Sequence, residues 1–197
     1  MKKKRGTYVF TMHHGDVGNC PTDRGAGYSN KNIPHSERAE IQSQKFQQGS
    51  RYIFKADVSL AKGYATSPKT TIFQVHQWDT KHCKCGPYVM IFFDKSGHLS
   101  ARILKSHHQH HIRRLGGFTR QDFEGRWVEL AVDINTDKAR AGVTIYVDGK
   151  PVHSEPVLVQ DGGTVFFKTG LYRHGRISPM LTSDRLFVTD IGYARVN

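Results

Sequence analysis

Three short segments carry polar side chains at every second position, the spacing that places them on one face of a β-strand. In residues 36–44, Arg38, Glu40, Gln42 and Gln44 share a face, with Glu37, Ala39 and Ile41 opposite. In residues 71–78, Gln74, His76 and Trp78 share a face, with Phe73 and Val75 opposite. In residues 164–174, Lys168, Gly170 and Tyr172 share a face, with Phe167, Thr169 and Leu171 opposite. Each segment alone fits a bland surface: a solvated strand, a structural histidine, a Lys–Tyr pair. If the three faces converge, they match the needs of β-elimination from a uronic acid. Arg and Gln can neutralise the carboxylate and so acidify the C5 proton. His or Tyr can take that proton, and Tyr can protonate the leaving oxygen. No metal is required. Trp78 suits stacking on a sugar ring, and Gln74 offers a paired donor and acceptor. Gly170 leaves its strand open to close approach by another chain.

The elements that must hold these faces read as strands. Short apolar or alternating runs occur at 52–60, 71–78, 88–93, 98–104, 127–134, 143–147, 164–172 and 185–196. Turn signals separate them: Asp94-Lys95-Ser96-Gly97, Asp148-Gly149 and Asp161-Gly162-Gly163. Only Gln121–Glu124 reads as a helical turn. The pattern predicts an all-β chain, an antiparallel sandwich or barrel. The span 1–197 reads as one domain, with an N-terminal strand and a long loop (residues 1–34, the loop at Gly15–Pro34) packed on it.

Lysine and arginine number 29 and aspartate and glutamate 17, giving +12 with 12 histidines neutral. A surface this basic selects polyanionic partners. No apolar run approaches the roughly 20 residues of a membrane-spanning helix. The opening Met1-Lys2-Lys3-Lys4-Arg5 is not followed by the apolar stretch of a signal peptide. Cys20, Cys83 and Cys85 are an odd number, and Cys83-Lys84-Cys85 is too tight for the usual zinc spacing. The cluster His107-His108-Gln109-His110-His111 alternates between faces, which favours a basic rim with Lys105, Arg113 and Arg114 over one metal site. Asp133, Asp137, Asp161 and Asp190 form no calcium-loop motif, and Ser178 and Ser183 lie in no nucleophile elbow. No nucleic-acid module is recognisable, so nucleic acid is not expected as a partner.

Five segments occurring in order carry a family likeness. They are His35-Ser36-Glu37-Arg38-Ala39-Glu40-Ile41, Phe73-Gln74-Val75-His76-Gln77-Trp78, Gly125-Arg126-Trp127-Val128-Glu129-Leu130, Tyr146-Val147-Asp148-Gly149-Lys150-Pro151-Val152 and Phe167-Lys168-Thr169-Gly170-Leu171-Tyr172-Arg173. Over residues 35–175 the chain resembles the β-jelly-roll polysaccharide lyases of the glucuronan lyase and heparin lyase I type. More distantly, it is similar to alginate lyases. The resemblance implies a jelly roll of two antiparallel sheets with an anionic glycan across a concave face. It implies proton transfer by His76 and Tyr172 supported by Lys168, with either of the first two as the base. It implies substrate contacts from Arg38, Gln74, Trp78, Arg173 and His174. The Arg173-His174 pair after Tyr172 departs from the alginate pattern and leans the substrate toward a glucuronan-like polymer. The expected activity is therefore metal-independent lysis of a uronic-acid polysaccharide, leaving 4,5-unsaturated ends; the rival is a jelly-roll lectin that holds acidic glycan without cleaving it. No cofactor is expected beyond a structural calcium of the kind some relatives hold. The expected partner is acidic polysaccharide, with no membrane, and the expected state is a monomer. The expected location is extracellular, as in cell-wall degradation, with delivery on a virion as the alternative.

Overall fold

The computed structural model describes residues 2–3, 6–13, 37–63, 70–78, 86–106, 109–159, 163–173 and 183–196. In chain order the strands are β1 (Lys2–Lys3), β2 (Tyr8–His13), β3 (Glu37–Gln42), β4 (Phe46–Gln47), β5 (Arg51–Leu60), β6 (Thr70–Trp78) and β7 (Val89–Phe93). They continue as β8 (His98–Ser106), β9 (Gln109–Thr119), β10 (Val128–Asn135), β11 (Gly142–Val147), β12 (Lys150–Pro156), β13 (Thr164–Arg173) and β14 (Ser183–Val196). The only helical pieces among the described residues are two short 3-10 turns, Arg120–Phe123 and Lys138–Arg140.

The strands form two antiparallel seven-stranded sheets. The first runs β1-β14-β5-β10-β11-β12, with β2 also on β14; the second runs β3-β13-β6-β7-β8-β9, with β4 also on β13. The long crossovers between neighbours are those of a jelly roll. The sheets pack face to face through alternate apolar residues. Phe54 of β5 stacks on Phe167 of β13 at 5.5 Å between centroids, and Phe167 meets Phe73 of β6 at 5.4 Å. All three are buried. Removing side chains of this size from water stabilises a fold by roughly 1.5–3 kcal/mol each. Because Phe167 and Phe73 point inward, the period of two turns Lys168 and Gln74 outward, onto the open face of the second sheet.

Two turns behave as their residues dictate. Asp148 (φ 49°) and Gly149 (φ 72°) link β11 to β12, and both left-handed conformations suit a two-residue hairpin. The Asp94 carboxylate accepts from the backbone N–H groups of Ser96 and His98, closing the β7–β8 turn. The predicted loop at 15–34, Cys20, Cys83, Cys85, His107, His108, Asp161 and Ser178 lie outside the described residues.

Candidate active site

Strand register brings the three polar segments onto one surface. Lys168 sits between Gln42 of β3 and Gln74 of β6. Tyr172 is opposite Arg38, and Phe166 is opposite His76. The row through Lys168 continues outward from Gln74 to Met90, Arg102 and Ile112, crossing all six strands of the path. Pairing across separate strands supplies this convergence, which spacing within one segment cannot.

Gly170 makes the β3–β13 contact unusually close. Its φ is +139°, and a Cβ added there would lie 2.2 Å from the Ala39 carbonyl oxygen and 2.6 Å from the Glu40 Cα. The chain that approaches Gly170 is thus β3, which carries Arg38 and Glu40.

Glu40 organises the polar groups, a part the sequence reading did not give it. Its side chain is only 3% exposed. One carboxylate oxygen accepts from Gln74 Nε2 at 2.5 Å and the other from Arg38 Nη1 at 3.2 Å. The Arg38 guanidinium also lies 4.4 Å from the centroid of the Tyr172 ring. A carboxylate only accepts, so Glu40 fixes which end of the Gln74 amide is the donor. Gln74 is itself buried, so its amide has little freedom to turn. The signal for Glu40 was present in its shared strand face with Arg38, but its partner Gln74 lies 34 positions away.

His76 is stacked on Phe166, centroids 5.1 Å apart and planes within 15°. Its Nδ1 lies 2.7 Å from the Gln77 carbonyl oxygen. That oxygen can only accept, so Nδ1 carries the proton and Nε2 keeps its lone pair in the neutral ring. Burial, reinforced by the positive charges of Lys168 and Arg38, lowers the His76 pKa to about 4. The ring is therefore a neutral acceptor at ordinary pH. Phe166, buried although it faces the open side, is the floor of the site. Lys168 Nζ lies 5.8 Å from the Phe166 centroid, and Lys45 Nζ 4.8 Å from that of Trp78. Trp78, 50% exposed at the end of β6, offers an aromatic surface at the margin.

Arg173 is the correction. The sequence reading gave it a substrate carboxylate, but parity turns it inward, away from Lys168 and Tyr172. It is 2% exposed, and its Nε donates to Glu37 while Nη1 donates to Asp184 at 2.5 Å. Burial alone would lower its pKa; Glu37 and Asp184 outweigh that and hold it charged. Two carboxylates occupy its guanidinium, so it does not reach a glycan on the open face. His174 lies outside the described residues.

The described histidines of the cluster, His110 and His111, divide as alternation predicts. His111 and Arg113 turn toward Glu155 of β12, with Nδ1–Oε2 at 3.4 Å and Nη2–Oε2 at 3.6 Å. His110 turns the other way, where burial and the charge of Arg102 lower its pKa. Of the aspartates weighed for calcium, Asp133 binds Arg51 and Asp137 binds Arg140.

The surface therefore holds a neutral base, a phenol, a lysine and an arginine–amide pair fixed by a buried carboxylate. This set can neutralise an acid group, accept a proton and return one to a leaving oxygen.

The profile of a family described as polysaccharide lyase matches residues 5–188. No curated protein matches the chain. Among solved structures, a family 7 alginate lyase, A1-II′, in complex with substrate (GGMG) superposes with TM-score 0.63 at 13% identity, covering 97% of this chain and 78% of that one. The alginate lyase AlyC3 gives 0.63 at 13% identity, covering 96% and 90%. The alginate lyase PA1167 from Pseudomonas aeruginosa gives 0.60 at 12% identity, covering 81% and 75%. At such identities the likeness is one of fold. These matches bring forward the alginate lyases, which the sequence motifs placed as the more distant relatives.

Proposed function

The chain belongs to the polysaccharide lyase family, and we propose that within it this protein cleaves a polyuronate by β-elimination on the open face of its second sheet. The observation that carries this reading is the neutral His76, with Nε2 free to accept, on the same surface as Tyr172 and Lys168. In the step proposed, Nε2 takes the C5 proton. The C5–H electrons form the C4=C5 double bond as the C4–O4 bond breaks. The Tyr172 phenol gives its proton to the departing O4. Arg38, Gln74 and Lys168 draw charge from the carboxylate, which lowers the cost of developing negative charge at C5. Glu40 holds the first two so that they need not reorganise during the step. The cations of this reaction are side chains, so it calls on no metal.

The polymer is chosen by experiment. The lean toward glucuronan rested in part on the Arg173-His174 departure, and Arg173 is buried against Glu37 and Asp184. It therefore carries no preference between glucuronan and alginate. The test incubates the protein with glucuronan, alginate, heparin and hyaluronan and follows ultraviolet absorbance of the unsaturated product. Absorbance with one or more is expected, and Tyr172→Phe is expected to abolish it while glycan binding persists. Binding with no absorbance on any polymer refutes the reading.

A further inference from the structure

Arg102 is a cation on the open face for which neither the described residues nor the proposed chemistry provides a partner. It lies on β8, opposite Met90 of β7, which is opposite Gln74. At about 4.8 Å per strand, its backbone is roughly 14 Å from that of Lys168, three strands away in the same row. Its position in the row, with Lys168, Gln74 and Met90, puts its side chain on the same open face as theirs. It makes no hydrogen bond or ion pair among the described residues. Other arginines near the site are engaged: Arg38 by Glu40, Arg173 by Glu37 and Asp184, Arg113 by Glu155, Arg114 by Asp94. Arg102 is exposed, so its guanidinium is open to a ligand, and the protein packed around its base lowers its pKa somewhat through partial desolvation. His110, whose own pKa is lowered by burial and by Arg102, is a neutral neighbour and no rival charge. Ile112, 55% exposed and opposite Arg102, adds an apolar edge of the kind a sugar ring can cover.

We propose that Arg102 binds a carboxylate of the polyuronate from the β8 side, making the Arg102–Ile112 strip an anion subsite at the far end of the Lys168 row. This rests on the polyuronate reading of the site. A guanidinium pairs with a carboxylate by two parallel N–H donors, so the subsite selects a planar acid group over a neutral hydroxymethyl. The strip is then a second place on the face, beside the carboxylate contacts of Arg38, Gln74 and Lys168, that tells a uronate from a neutral hexose.

The test compares wild type, Arg102→Gln and Arg102→Lys. The probes are glucuronan and alginate oligosaccharides, with carboxyl-reduced oligosaccharides as control. Binding is measured by calorimetry on a Tyr172→Phe background, and turnover by absorbance on the native one. Arg102→Gln is expected to weaken oligouronate binding and lower kcat/KM by roughly ten- to a hundredfold. Arg102→Lys should recover part of the loss. Binding of the carboxyl-reduced control should not change. The thermal midpoint of Arg102→Gln should equal or exceed that of wild type, because an unpaired, partly desolvated charge has been removed. Oligouronate binding within twofold of the parent overturns the inference, as does a fall in midpoint that parallels the loss. Failure of the wider reading looks different: wild type would then bind oligouronate and release no unsaturated product.

Discussion

The protonation of His76 offers the sharpest test of the site, because its physical cause is visible. An ordinary histidine titrates near 6.5; burial first, then Lys168 and Arg38, bring His76 to about 4. At pH 7 an ordinary ring is charged in roughly one molecule in four, whereas a ring with the lowered pKa is charged in about one in a thousand. The difference, 6.5 − 4 = 2.5, is worth roughly 3 kcal/mol at about 1.4 kcal/mol per pH unit. The sign follows from linkage. Between about pH 4 and 6.5 the unfolded chain binds this proton and the folded chain does not, so stability rises with pH across that window. As pH falls the contribution shrinks, and below about 4 it is lost in full. The same window governs activity if Nε2 is the base: the acid limb of kcat/KM should fall near pH 4, not near 6.5. The assay pairs that pH profile with nuclear magnetic resonance titration of the His76 ring, assigned by comparison with His76→Gln. Lys168→Met should move the ring pKa upward only in part, since burial remains. A ring that titrates between pH 6 and 7, with the acid limb beside it, would refute the reasoning.

Three further perturbations separate site from scaffold. Arg173→Met leaves Glu37 and Asp184 buried without their cation, which should cost about 3–5 kcal/mol and lower the thermal midpoint by roughly 6–20 °C in melts followed by circular dichroism. Activity per folded molecule should be unchanged, and a selective rise in KM would restore Arg173 to the substrate. Gly170→Ala places a methyl 2.2 Å from the Ala39 carbonyl oxygen, so β3 must shift; a loss of both stability and turnover is expected, and a wild-type melt would contradict it. Glu40→Gln keeps the shape but ends the charge-assisted contacts to Arg38 and Gln74, so kcat should fall by roughly tenfold or more with little change in midpoint. An unchanged kcat would show that those two side chains need no such anchor.

Much of this site was legible because a strand has a period of two. That rule alone put Gln74, His76 and Trp78 on one face, and Lys168 with Tyr172 on another. The same rule, applied one residue further, turns Arg173 inward; the family resemblance implied the opposite, and nothing local announces Glu37 and Asp184 as partners. Asp148-Gly149 was readable because a hairpin demands left-handed residues there. β9 and β12 were not marked as strands: their histidines, arginines and prolines hide the alternation that their partners impose. Glu40, Phe166 and Arg102 were missed for a related reason. Their importance lies in pairing across β3, β13, β6, β7 and β8, and register between distant segments is not written in any one of them.

Two requirements of the proposed chemistry oppose each other on this surface. Cations are needed to draw charge from the carboxylate, yet every cation near His76 weakens it as a base. The structure accepts the second effect: Lys168 and Arg38 add to burial in holding the ring near pKa 4. Such a base is always unprotonated at neutral pH but has little intrinsic pull on a carbon acid. The missing driving force must then come from the substrate side, through donors already aimed at the carboxylate. On the proposed chemistry this gives an acid, Glu40, a place in a site that receives an anion. Without it, Arg38 would be free to turn and the buried Gln74 amide would lose the acceptor that sets its donor end, and that reorganisation would be added to the barrier; with it, both are fixed before substrate arrives. Raising the basicity of His76 by removing Lys168 should therefore slow turnover, since the acidity lost at C5 outweighs the strength gained at Nε2.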